Sequence, residues 1–567
     1  MDEFVTKIAF PVIVGAIVFM LIGFAGIYFA ELGGFYYFLP LSFLVFGGLI
    51  IMAYPQIVFE EKKADIHKNI HLFVTYMGSL STLHLPRKEI LRTAARREEY
   101  GETAKIIKRI IYLSDHWNLG LDKTCARMSG LVPSKILGNF LDRMAAALDF
   151  GESMEEFLLG EQNAVMTEYE GEYTEALKRL DVLNDVITSL VIAGAFMLSG
   201  TFLLPLIMGY SMYFLLAGSF LFMVFIDVMI IIVIGNFVTQ DHILHQLPIK
   251  DEEFIKMKQS LYKTIPATAI LFILAFILWY LDYVPLALGV SLSLLPLIYT
   301  GRLAKKQEAT VLRRDYGYTS FIRSLGGSMS AKGGSLYGTL GPIRIHNYGV
   351  LNDLIQRLYM RLNIGADKVK AWMYFSGETG SEMIEKFSTI FIEVIRVGGD
   401  PKVASEIISK NFTRLMTVRE LRLQMSGSFK GVYYGTILGL AGAAYASAEM
   451  SVLLQDTLSS TMGNLGSGAM EKVGSAGLDL FGIMDSSINL PLAKDVLFLI
   501  LVVHAGLTAL SIKVADGGNK YVALVDFVIM VWLVAIIALS LPYMFENMFG
   551  IGGEAEAARE IGTVGSL

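Results

Sequence analysis

The stretch RVGGDPKVASEI, residues 396–407, sets a carboxylate, Asp400, behind two glycines. Intramembrane aspartyl proteolysis uses an acid of this kind. That chemistry requires Gly-x-Gly-Asp spacing and a water-filled cavity at membrane depth, whereas this segment reads VGGD and sits among Lys and Arg. Asp400 is expected to lie in a turn, where Gly398 and Gly399 end one helix and the residues after them cap the next. Three ionisable groups fall inside long apolar runs: Asp227 in VFIDVMIII, His504 and Asp526. Such groups are costly in a bilayer and count as functional by default. Being on three separate runs they make a poor relay, so interhelical hydrogen bonds are expected, with Asp227 and His504 as partners. His67 and His71 stand at i,i+4 and His242 and His245 at i,i+3, but neither pair has an evident third ligand and no metal is expected. The sequence contains no G-x-x-x-x-G-K-[ST] and no HExxH, so neither P-loop ATP hydrolysis nor zinc peptidase chemistry is indicated, and no cofactor and no enzyme activity are expected. The single cysteine, Cys125, excludes an intrachain disulfide and a thiolate metal cage.

What must position these residues is a membrane. The chain is 54% hydrophobic, with mean hydropathy +0.54. A span takes about 20 apolar residues, and nine runs qualify: 8–30, 35–59, 186–208, 212–238, 264–281, 283–300, 431–448, 494–515 and 520–542. The first is too long for a signal-peptide core and has no small-residue cleavage site behind it, so it is expected to persist. The fold class that follows is all-α: a polytopic integral membrane protein with about nine transmembrane helices and two helical cytoplasmic domains. The expected order is two helices in 1–59, a cytoplasmic domain at 60–184, four helices in 185–300 around a short inside loop at 239–263, a second cytoplasmic domain at 301–430, three helices in 431–542 around an external loop at 449–493, and an external tail at 543–567. With the N-terminus inside, 44 of the 47 Lys and Arg fall on the cytoplasmic side, the asymmetry that orients membrane proteins.

The two cytoplasmic segments look duplicated. GSLS at 78–81 and GSMS at 327–330 each precede a helix-rich stretch, and LDFGESMEEFL at 148–158 stands at nearly the same offset as RVGGDPKVASEI. Gly151 and Gly398–Gly399 are the common element. In 158–183 apolar residues recur at helical spacing, with Glu175 and Arg179 as an i,i+4 pair on the other face, and this helix is expected to run almost directly into the third span. Residues 62–143 carry 15 basic and 8 acidic side chains, a balance of +7; 149–181 carry 2 and 10, a balance of −8; 301–430 carry 20 and 11, a balance of +9. Blocks of this size fit docking to a charged partner, or membrane-surface attraction and topology signalling; no recognition motif points to nucleic acid. Residues 325–342, LGGSMSAKGGSLYGTLGP, read as a hinge or linker. The loop at 449–493 reads either as a contact to something outside the bilayer or as a cover over helix ends.

GSLS with DFGES, and GSMS with VGGD, each in a helical domain leading into spans, resemble the F family of type II secretion and type IV pilus systems, the inner-membrane platform proteins. Bacterial members are shorter and have fewer spans; nine spans and a long outside loop look like the archaeal branch, above all archaellum (archaeal flagellum) platforms, with adhesion-pilus platforms as near relatives. The resemblance implies a multi-pass cell-membrane protein with a cytoplasmic N-terminus and an external C-terminus. It implies as partners a hexameric secretion ATPase in the cytoplasm, pilin-like filament subunits (archaellins), membrane lipids and a second copy of the chain in a dimer. The residues expected to dock the ATPase are the basic runs: Arg87, Lys88, Arg92, Arg96 and Arg97; Lys105, Lys108 and Arg109; and Arg414, Arg419, Arg422 and Lys430. The rival class, a secondary transporter using Asp227, His504 and Asp526, calls for small cytoplasmic loops, and these are large.

Overall fold

A computed structural model describes residues 38–83, 85–208, 212–237, 242–331, 333, 336–464 and 490–549. Among them every regular element is a helix, apart from one antiparallel bridge between Leu244 and Ser381. The chain divides into two compact units, 1–165 and 166–567.

The first unit contains α1 (Phe38–Leu80), α2 (Arg87–Ala95), α3 (Gly101–His116), α4 (Leu121–Ser129), α5 (Lys135–Asp149) and the first turns of α6 (Met154–Met208). Its core follows from helical spacing: Ile66, Ile70, Phe73 and Met77 form one stripe on α1, and Leu137, Phe140, Leu141 and Met144 form another on α5, all buried. Tyr100 meets the ring of Phe73 edge-on at 5.6 Å. Cys125 is buried in this core, and desolvation pushes its thiol up to about 12.

The second unit carries the rest of α6, then α7 (Met212–Phe237), α8 (Glu252–Tyr280), α9 (Leu286–Ser293) and α10 (Leu295–Ala331). It continues with α11 (Leu336–Ile343), α12 (Asn352–Asn363), α13 (Lys368–Thr379), α14 (Glu382–Val397), α15 (Pro401–Asn464), α16 (Leu490–Asp516) and α17 (Ala523–Phe549). Aromatic packing fills its helical domain: Phe412 on α15 lies 5.0 Å from Tyr318 of α10 and 5.3 Å from Phe387 of α14.

The two domains repeat the same plan. Leu121 and Lys368, Lys135 and Glu382, and Met154 and Pro401 begin corresponding helices, each pair 247 positions apart. A serine caps the second of these helices in both copies: Ser134 accepts from Leu137 N–H and Ser381 from Ile384 N–H. The turn before the third is the same motif twice. Gly151 (φ 76°) and Gly398 (φ 96°) are left-handed. Gly151 N–H donates to Leu148 O and Glu152 N–H to Ala147 O, while Gly398 N–H donates to Ile395 O and Gly399 N–H to Val394 O. This double closure satisfies the last carbonyls of a helix, and glycine adopts its geometry without a Cβ penalty. Asp400 Oδ1 then accepts from Lys402 N–H at 2.8 Å, as Ser153 Oγ accepts from Glu156 N–H at 3.1 Å.

Seven helices are long and apolar enough to cross a bilayer, and they contain the expected runs from 186–208 onward. The expected span 8–30 lies outside the described residues. The expected span 35–59 coincides from Phe38 with the first part of α1. Seven candidate spans are thus present among the described residues, and the first of the nine expected runs falls outside them.

Three segments expected to be irregular are helical in part. The linker at 325–342 is mostly helix, because Leu325, Met329, Leu336 and Leu340 are buried at helical positions and outweigh the glycines; the break lies near Gly333, which has φ 74°. The segment expected as an external loop from 449 is helical as far as Asn464 in α15; residues 465–489 lie outside the described set. The expected tail at 543 is still helical to Phe549, and 550–567 are outside the described set. The paired landmarks also shift by one. A Cβ on Gly326 would sit 2.0 Å from Ser405 Oγ, whereas nothing lies within 4 Å of Gly327. Gly326, not Gly327, therefore matches Gly78, which faces Leu158 and Gln162.

Candidate coupling site around helix α15

Helix α15 leaves the second domain and becomes a membrane span, and four basic residues fasten it on the way. Arg414 forms a fork onto Glu170 of α6, with both contacts at 2.7 Å, and also donates to Thr167 Oγ1 at 2.8 Å. Arg419 is buried and pairs at 3.0 Å with the fully buried Asp315 of α10. Arg422 is buried and donates to the carbonyls of Ala515 at 2.9 Å and Val514 at 3.3 Å, and to Tyr173 Oη at 3.2 Å. Those carbonyls belong to the last turn of α16, where a guanidinium meets the negative end of the helix. Lys430 pairs with Asp526 of α17, to which Tyr434 Oη also donates at 2.9 Å.

These contacts correct the docking assignment for Arg419 and Arg422. Both are enclosed by their own fold and present no charge to a partner. Arg414 and Lys430, half-exposed, are likewise committed to carboxylates. Sequence alone could not see this: Asp315 is 104 residues from Arg419, and Ala515 is 93 residues from Arg422.

A second set of ties comes from the connector 242–251 between α7 and α8, which lies against the turn joining α13 to α14. Glu382 N–H donates to Ile243 O at 3.0 Å, and His245 N–H to Gly380 O at 3.2 Å. His245 is buried. Its Nε2 donates to Gly377 O at 2.7 Å, and its Nδ1 accepts from Leu247 N–H at 3.0 Å, an arrangement that fixes one neutral tautomer. Burial, helped by the charge of Lys250, lowers its pKa below the ordinary histidine value, against the pull of the Gly377 carbonyl. Gly377 has to be glycine, since a Cβ would meet Ile249 at 2.7 Å.

At the end of the connector, Asp251 pairs with Arg314 at 3.2 Å, and Arg314 also donates to Thr379 O at 2.8 Å. Burial raises the Asp251 pKa, and Arg314 opposes it. The adjacent Asp315 accepts from Ser381 Oγ. Arg314 and Asp315 thus tie the connector, the α13–α14 turn and α15 to helix α10.

Within the membrane segments, His504 Nδ1 lies 2.8 Å from Asp227 Oδ2, both buried, joining α7 to α16. A further cluster joins α10 to α16: Lys513, buried, contacts Glu308 at 3.0 Å, a pairing with no local signature in the sequence, and Asp516 at 2.5 Å. Among the described residues no group of His, Cys, Asp and Glu could hold a metal ion.

The remaining expected docking residues lie in the first unit. Arg87 donates to the carbonyls of Gly151 and Glu152 at 3.1 and 2.8 Å, bracing the repeated turn. Lys88 and Arg92 share Asp115, at 2.5 and 2.9 Å, and hold its carboxyl below the usual range. Arg97 is half-buried and engaged within the fold. Lys105 pairs with Glu102 at 2.7 Å. Arg96, Lys108 and Arg109 are exposed.

The chain is 33% identical to "Flagella accessory protein J" of Methanocaldococcus jannaschii over 558 residues, covering 97% of this chain and 96% of that one. It belongs to the flagella accessory protein J family. The Methanococcus voltae protein of the same name is 29% identical over 554 residues, 95% of both chains. The family described as "Type II secretion system (T2SS), protein F" matches residues 73–202, most of the first of the two domains of this J-family chain and most of the span that follows it. No solved structure matches the chain significantly.

Proposed function

We propose that this chain is the membrane platform of an archaellum-type filament machine. Its two duplicated domains face the cytoplasm and bind a hexameric secretion ATPase. The ATPase cycle displaces those domains, and the displacement lifts pilin-like subunits from the bilayer into the filament and turns the assembled filament.

The observation that carries the reading is that the last helix of each domain is also a membrane helix: α6 spans 55 residues and α15 spans 64. At about 1.5 Å per residue these are rods of roughly 80 and 95 Å, against a hydrocarbon core of about 30 Å. Each is long enough to cross the bilayer and project well beyond it. The names of the relatives support filament work, and the distribution of Lys and Arg supports cytoplasmic domains with the N-terminus inside. An adhesion-pilus platform is the second reading, since it needs the same rods.

The test is capture of the secretion ATPase of the same organism by the full-length chain in lipid nanodiscs. Retention that weakens as salt rises is expected, because the stretches 62–143 and 301–430 carry net charges of +7 and +9. Absence of any capture across ionic strengths would remove the ATPase from this reading.

A further inference from the structure

Both domains expose a bulky apolar side chain at the same place. Trp117 closes α3 and Ile364 closes α12; they are 247 positions apart and 68% and 81% exposed. The residue after each is left-handed, Asn118 at φ 53° and Gly365 at φ 81°. That turn stops the helix and leaves the preceding side chain with no further turn to cover it. Both side chains leave most of their area outside their own domain, so folding alone does not call for an apolar residue there. The two differ in type and size, but both are large, apolar and mostly exposed at one repeated position, which points to a shared contact rather than to chance.

The surroundings repeat as well. Lys123 and Lys370, each at the third position of the helix that follows and both exposed, are also 247 positions apart. Each site is braced from behind by the first turn of a neighbouring helix: Lys88 of α2 holds Asp115 at 2.5 Å, and Tyr337 of α11 donates to Asn363 Oδ1 at 2.6 Å. The apolar residue is thus held on a stiff base next to a free lysine. Positions fixed in this way lose little entropy on binding.

We propose that Trp117 and Ile364 are a matched pair of docking knobs, each entering an apolar socket on an acidic protein surface that the partner presents more than once. The stretches that hold the knobs, 62–143 at +7 and 301–430 at +9, suit an acidic surface, while the −8 of 149–181 falls mostly on α6. Two like knobs call for two like sockets, as adjacent subunits of a ring would supply. This rests on the platform reading above, with the hexameric ATPase as the ring.

The experiment uses the full-length chain in nanodiscs and the purified ATPase, titrated at fixed salt. Trp117→Glu and Ile364→Glu are each expected to weaken capture about tenfold to hundredfold, the effect of losing one buried large side chain. The double variant should fall further, whereas Trp117→Leu should stay near the unmodified value. Lys123→Glu with Lys370→Glu should lower affinity and flatten its salt dependence. Capture by the double Glu variant equal to that by the unmodified chain would overturn the knobs while leaving the platform reading intact; absence of capture by the unmodified chain would instead remove the platform reading on which the knobs rest. Unchanged capture together with brominated-lipid quenching that Trp117→Ser abolishes would place the first knob in the membrane surface and also overturn the proposal.

Discussion

Arg419→Met removes one partner from the most enclosed ion pair of the second domain. The guanidinium lies 3.0 Å from Asp315, and neither side chain is more than 3% exposed. Two charges about 4 Å apart at an effective dielectric of about 20 interact by about 4 kcal/mol, and stripping one partner from such a pair costs about 3–5 kcal/mol. Asp315 would stay buried next to Ser381, its carboxylate no longer matched by the guanidinium. The loss should be local, because the pair ties α10 to α15. Native-state hydrogen exchange of α14 and the neighbouring turns of α15 reads it directly: opening should become more frequent by about two to four orders of magnitude. The double variant Asp315→Leu with Arg419→Met should recover most of the loss, since replacing a whole buried pair with apolar residues is often nearly neutral. ATPase capture per folded molecule should not change, because Arg419 faces inward. An exchange increase below about tenfold, or a double variant as damaged as the single one, would refute the strut assigned to Arg419.

Other perturbations follow from the same geometry. Gly326→Ala should destabilise the second domain by about 3 kcal/mol, the upper range for overpacking, because its Cβ would also meet Pro401 O at 2.4 Å; Gly327→Ala should be neutral or slightly stabilising, and comparable thermal midpoints for the two would contradict the assignment of the close contact. The lowered pKa of His245 makes the neutral ring the folded form, so its contribution is intact above the unfolded value of about 6.5 and is lost as pH falls below it. Exchange at Glu382 N–H, corrected for intrinsic rate, should accelerate through that window, and His245→Gln should flatten the response; a flat response in the unmodified chain would count against the latch. Asp227→Ala and His504→Ala should each lower stability in detergent by about 1–2 kcal/mol, the scale of interhelical hydrogen bonds, with the double variant no worse than the worse single one; additive losses would mean that the two side chains act independently.

Much of this architecture can be read from sequence because it rests on local rules. Apolar runs mark the seven described spans, and left-handed glycine at a helix end explains both Gly151 and Gly398 without reference to the rest of the chain. A constant offset exposes the duplication even at low identity. What escapes is long-range. A basic residue on a polar helix looks the same whether it faces water, as Lys108 does, or a carboxylate 104 residues away, as Arg419 does. The seat of His245 needs Gly377 O, 132 residues away, so the His242–His245 spacing reveals nothing of its role. The one-residue shift from Gly327 to Gly326 has a similar origin. Adjacent helical residues point about 100° apart, and only packing decides which of two glycines faces the neighbouring helix.

The most direct measurement is deletion of the gene, with re-expression from a second locus, followed by electron microscopy of the cell surface and a swimming assay. Loss of both the filaments and swimming, restored by re-expression, is the expected result. Cells that swim but lack only thin surface fibres would move the assignment to an adhesion pilus, and cells that keep both filaments and swimming would contradict the platform function outright.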